Sequence, residues 1–170
     1  MAEIRSTLDI IMEKTEGLTM SAEERKAIQR KEIEGKIRGL VQRYLDGALD
    51  LEKLRDEIAA MQGDRQSMAM ESLKEECRHL DPEGDASLHL KILETILKLD
   101  TGPVKRILSA YHEEIVRRKR SWEARTMEKL GRMEIFGTAL VPNPQADPAW
   151  LDVVSEEKTA FHKKVSSVIQ

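Results

Sequence analysis

The sequence predicts an all-α protein: an antiparallel helical bundle of six or seven helices with one long projecting helix. Three observations carry this. Apolar residues recur at three- and four-residue intervals along nearly the whole chain, the period of a helix. Aromatic residues make up only 4% of the composition, and no stretch reads as a credible strand. Start and stop signals of helices bracket one periodic segment after another. The 170 residues read as a single helical domain, 1–170, long enough to bury about 70% of the surface that the unfolded chain exposes.

Taken in order, residues 3–16 place Ile4, Leu8, Ile11 and Met12 on one face and stop before Gly17, which suits a left-handed helix exit. Ser21 and Glu24 have the form of a capping box, opening a helix to Leu45 whose buried stripe is Ile33, Ile37, Leu40, Val41 and Tyr44. Asp50 caps a segment carrying Leu51, Leu54, Ile58 and Met61, ended by Gly63. Residues 65–80 bury Leu73, Cys77 and Leu80, and the run from Asp81 to Asp85 stops them. Asp85 then caps a helix whose Leu88, Leu90, Ile92, Leu93, Ile96, Leu97 and Leu99 surround much of the cylinder, as expected of the centre of the core.

Pro103 sits where a first-turn proline costs no hydrogen bond, and helical spacing continues to Phe136. Such a helix of about 34 residues is a rod of about 51 Å, longer than a compact domain of this size needs. Its first half, through Ile115, is expected in the bundle and its second half outside it. Residues 137–147, with Pro142 and Pro144, form an irregular loop, and Asp147 and Pro148 start a last helix carrying Leu151, Val154, Phe161, Val165 and Val168.

Composition narrows the function classes. The chain has 28 Lys+Arg against 31 Asp+Glu, a net charge of -3, and no uncharged apolar run of the ~18 residues that a membrane span requires. The first ten residues carry Glu3, Arg5 and Asp9 and have no apolar stretch of the kind an export signal needs. One cysteine makes no internal disulfide, so a cytoplasmic location is expected, with no membrane partner.

The motifs of chemistry are mostly missing. There is no G-x-G-x-x-G, and Gly35-Lys36 has Arg30 where a phosphate loop requires its first glycine. Asp81, Glu83 and Asp85 alternate like the start of a calcium loop, but Ala86 and Ile92 occupy the positions that need Gly and Glu, so the run reads as a capped turn. Glu76 and His79 form one E-x-x-H, without the second copy that di-iron bundles use. His79, His89, His112 and His162 are spread along the chain, and only tertiary packing would gather them. Cys77, on an apolar face, reads as a small hydrophobe. The expectation is therefore a non-enzymatic protein with no catalytic, cofactor or metal residues assigned. Gly35 and Gly39, a G-x-x-x-G opposite the apolar stripe, raise the prospect of a closely packed neighbour.

One surface breaks its own pattern. Along the long helix, Val104, Leu108, Tyr111 and Ile115 give way to Arg118, Trp122, Arg125, Lys129, Arg132 and finally Phe136. Buried unpaired charges are expensive, so this stretch either projects or meets acid. Residues 103–132 hold nine Lys/Arg against four Asp/Glu, while residues 51–100 hold seven against twelve. Three readings follow. The cations form a solvated surface paired along the helix, as Glu114 to Arg118 and Glu128 to Arg132. Alternatively Arg118, Trp122, Arg125, Lys129, Arg132 and Phe136 bind a partner, with Trp122 as anchor and Phe161 adding area, in a homodimer or other homo-oligomer or on an acidic protein surface. Third, Arg117, Arg118, Lys119, Arg120, Trp122 and Arg125 hold the phosphates of a nucleic acid or another anionic polymer, which the net acidity of the chain disfavours. The functional expectation is the second: a protein-interaction or self-associating helical protein.

Overall fold

The computed structural model describes residues 21–137 and 140–169, which form six α-helices and one short 3-10 turn, with no strand among them. The helix expected at residues 3–16 lies outside the described residues.

Helix α1, Ala22–Leu45, starts as its sequence dictates. Ser21 Oγ accepts the Glu24 N–H at 3.1 Å, and Glu24 Oε2 accepts the Ser21 N–H at 2.7 Å. Two of the amides that a helix start leaves open are thereby closed reciprocally. The buried stripe is the expected Ile33, Ile37, Leu40, Val41 and Tyr44. Helix α2, Leu51–Ala59, is capped by Asp50, whose Oδ1 accepts the Lys53 N–H at 2.8 Å. Gly63, at φ +56°, then turns the chain into α3, Asp64–Arg78, through a conformation that costs glycine little.

The short α2 returns the chain, so α1 and α3 lie side by side and run in the same direction. Glu32 faces Arg65 at one end of the pair and Arg38 faces Glu76 further along. This is the largest helix-to-helix contact in the fold. Ile37, Leu73, Cys77 and Leu80 are completely buried in the core it helps to build. Gly35 and Gly39 face open space among the described residues, none of which is the close neighbour suggested by their spacing.

Helix α4, Ser87–Thr95, is shorter than its apolar run suggests. Asp85 Oδ1 caps it locally, accepting the Ser87 N–H at 2.9 Å. After Thr95 the helical pattern breaks: the Leu97 and Leu99 amides bond to Ile92 and Leu93 carbonyls, with Lys98 at φ +55°. Ile92, Leu93 and Ile96 are buried, while Leu97 and Leu99 pack from the turn. The expected central helix is thus one wall of the core; the mutual face of α1 and α3 is its middle.

Helix α5, Gly102–Arg132, has Pro103 in its first turn and spans 31 residues, about 46 Å at 1.5 Å per residue. It ends before the expected Phe136. The Ile135 and Glu134 amides fold back onto the Leu130 and Gly131 carbonyls, with Glu134 at φ +59°, a Schellman stop made without the usual glycine. Val104 and Tyr111 are buried in the main core, and Ile107, Leu108 and Ile115 pack against it, as expected of the first half.

The loop after α5 is less irregular than its prolines imply. Asn143 caps a 3-10 turn at Pro144–Ala146, accepting the Gln145 N–H at 3.0 Å, and Asp147 leads directly into α6, Pro148–Val168. Helices α5 and α6 run antiparallel: Tyr111 meets Phe161 with ring centres 5.4 Å apart, Arg118 meets Glu157 at 2.7 Å, and Trp122 meets Trp150 at 6.0 Å. The buried face of α6 is Trp150, Phe161 and Val165; Leu151 and Val168, expected inside, are exposed. Phe161 belongs to the core and offers nothing to a partner.

Polar contacts fasten this hairpin to the end of α3. His112 Nε2 donates to the Pro82 carbonyl at 2.7 Å and His162 Nε2 to the Leu80 carbonyl at 3.1 Å. Lys158 pairs with Asp81 and Glu83, and Arg78 Nε donates to the Ile169 carbonyl at 2.9 Å.

Candidate functional site

The distal half of α5 and the first turns of α6 enclose a groove of about 540 Å³, within the range of ligand sites. Its α5 wall is Arg117, Arg118, Ser121, Trp122, Arg125, Thr126 and Lys129; its α6 wall includes Ala149, Trp150 and Val153. The floor is the pair of indoles, tilted at 47° to each other. Helix geometry explains the wall: positions 118, 122, 125 and 129 follow one another at four-, three- and four-residue steps and share a face.

Trp122 was expected to project as an anchor, and the structure corrects this. Only 8% of the residue is exposed, because Trp150 covers the ring from α6. Its Nε1–H donates to Asp147 Oδ2 at 2.6 Å, so the one polar atom of the buried ring is satisfied. Asp147 Oδ1 meanwhile accepts the Ala149 N–H at 3.0 Å and caps α6. The Trp122 bond first, then the Ala149 amide and the nearby Lys129 charge, hold the Asp147 carboxyl below its ordinary range.

The cations of the groove divide into two kinds. Arg117 and Arg118 both bind Glu114, and Arg118 also reaches Glu157. These two guanidiniums bring the Glu114 carboxyl down to about 2. Among the described residues Arg125 donates only to the Ser121 carbonyl, at 3.3 Å, and Lys129 interacts with Asp147 only through its charge. Neither forms an ion pair among the described residues. The structure therefore brings Arg118, Trp122, Arg125 and Lys129 to one groove. Arg132 and Phe136 do not line it: Arg132 pairs with Glu128, and the Phe136 ring, 77% exposed, lies over Gly131 past the helix end.

Comparison with family models, curated proteins and solved structures finds no match to this chain.

Elsewhere the candidate chemistries find ordinary partners. His79 contacts Glu75, not the Glu76 of its E-x-x-H, and Glu76 pairs with Arg38. Burial, with Glu76 adding to it, pushes the Cys77 thiol up to about 12, leaving it no thiolate character near neutrality. Among the described residues no three His, Cys, Asp or Glu side chains converge as metal ligands, and no helix is long and apolar enough to cross a membrane.

Sequence reasoning missed Trp150, half of the floor. The signal was available: eleven residues make just over three whole helical turns, so Trp150 shares the face of Phe161. It also missed the carboxylate of Asp147 as a partner for Trp122, which no spacing rule reveals across 25 residues.

Proposed function

We propose that this chain is a non-enzymatic protein-interaction module that holds an acidic protein surface in the groove between α5 and α6. One observation carries the reading: Arg125 and Lys129 flank a floor of two tryptophans and form no ion pair among the described residues, Asp147 acting on Lys129 only through its charge. The exposed indole edges, Val153 and the stems of the cationic side chains supply the apolar lining, and the cations at its edge select an acidic surface and raise the rate of encounter. The acidic surface belongs to another protein or to a second copy, whose residues 51–100 hold twelve Asp/Glu against seven Lys/Arg.

Trp122 and Trp150 are the only two tryptophans, so tryptophan emission, excited selectively over tyrosine, reports on this groove. Titration with polyglutamate at low salt is expected to change the emission saturably, and the change is expected to weaken at high salt and in the Arg125→Ala/Lys129→Ala double variant. A response to single-stranded oligonucleotide with none to polyglutamate rejects the proposal in favour of phosphate recognition, the alternative reading of the same cations. Sedimentation of the chain alone, at low and high salt, separates a second copy from a different partner.

A further inference from the structure

The shape of the groove narrows the kind of acidic surface it fits. Both of its walls are α-helices, whose backbone amides and carbonyls are satisfied internally, so no open strand edge is offered to an extended peptide. What the walls offer is side chains at helical period: 118, 122, 125 and 129 on α5, and 149, 150 and 153 on α6. Arg118 to Lys129 is eleven residues, a rise of about 16.5 Å or three turns. Ala149 is small, leaving the α6 wall low beside the two rings. A third helix laid along two others meets this pattern turn for turn.

Charge decides the rest. Arg125 and Lys129 stand one helical turn apart, the spacing of two carboxylates four residues apart on a facing helix. A phosphate chain needs a longer run of open cations than the groove offers, because Glu114 and Glu157 already engage Arg117 and Arg118 and leave Arg125 and Lys129 alone, one turn apart. Resting on the acidic-surface reading above, we infer that the occupant is an acidic amphipathic helix of a partner protein, about three turns long. Its apolar residues, at three- and four-residue steps, lie on Trp122, Trp150 and Val153, and its carboxylates one turn apart meet Arg125 and Lys129.

The test uses the full chain and its tryptophan emission. The probes are a synthetic helical peptide of about 18 residues with Leu at three- and four-residue steps and Glu between them, the same peptide with a central Pro, its Lys-for-Glu counterpart, polyglutamate, and a single-stranded oligonucleotide. The acidic helical peptide is expected to bind saturably, and the central Pro, which breaks the helix, to weaken it about tenfold. Arg125→Ala/Lys129→Ala is expected to weaken it by a similar factor, with an unchanged thermal melt showing that the variant folds. Arg125→Glu/Lys129→Glu is expected to lose the acidic peptide and gain the Lys peptide.

Equal binding of the helical peptide, its Pro variant and polyglutamate overturns the helix while leaving the acidic-surface reading in place. Silence from every acidic probe at low salt, or a response to oligonucleotide alone, overturns both. Self-association of the chain that Arg125→Ala/Lys129→Ala abolishes assigns the groove to a second copy and overturns the separate partner.

Discussion

Trp122 donates its indole N–H to one oxygen of Asp147 while the other oxygen caps α6 through Ala149. A single carboxylate thus ends the loop between the two helices and fixes that end to the side of α5. Asp147→Ala is expected to lower the melting temperature clearly more than Asp152→Ala, an exposed change on the same helix. Trp122→Ala, which empties a buried aromatic site, is expected to cost about 3 kcal/mol in urea unfolding. Equal melting of the two Asp variants would show that the shared carboxylate does not hold the groove together.

The open faces at Gly35 and Gly39 give a prediction of opposite sign. Both lie inside α1 with space for a methyl group among the described residues. Gly35→Ala and Gly39→Ala are each expected to stabilise the fold by about 0.5–1 kcal/mol, from lost chain entropy in the unfolded state. Destabilisation by either would reveal a neighbour packed on that face.

Cys77 is expected to resist thiol reagents in the folded protein and to react only as fast as the chain opens, since its thiol is fully buried and titrates near 12. Cys77→Ser, which puts a more strongly hydrated hydroxyl into a fully buried apolar site, is expected to cost about 1–3 kcal/mol. Rapid labelling of the folded protein at pH 7 would contradict the burial.

His89 sets an acid limit. Desolvation, outweighing the attraction of Glu76 and Asp85, lowers its folded pKa below the ordinary 6.5, and its Nδ1 is buried without a hydrogen bond. As pH falls below 6.5 the unfolded chain takes up a proton there before the folded one, so stability drops from that point toward the lower folded value. His89→Leu is expected to flatten the melting temperature through this window. An unchanged slope in that variant would assign the loss to other groups.

Much of the fold is legible in the chain because its signals are local. The Ser21 and Glu24 capping box, the Asp50 cap and the stripe from Ile33 to Tyr44 depend on residues within a few turns of one another, and the structure has them as expected. The errors arise where distant residues decide. The apolar run through Leu99 reads as helix, but the chain turns at Lys98 so that Leu97 and Leu99 reach the core from a loop. The parallel alignment of α1 and α3 is likewise invisible, since it depends on how far α2 carries the chain back. At the groove, the cationic stripe was readable and Arg118, Trp122, Arg125 and Lys129 do share one face. Its burial was not, because the cover comes from Trp150, at the start of a helix whose Phe161 and Val165 were read correctly but whose first turn was assigned to Leu151.

The four polar clasps around residues 78–83 determine how the hairpin of α5 and α6 transmits load. They grip its base, through His112, Lys158, His162 and the end of α6, while the tryptophan end stands beyond the main core. The hairpin is therefore a cantilever. A weight hung at its free tip is felt as torque at the root, so the two histidine pegs set how stiffly the arm is held.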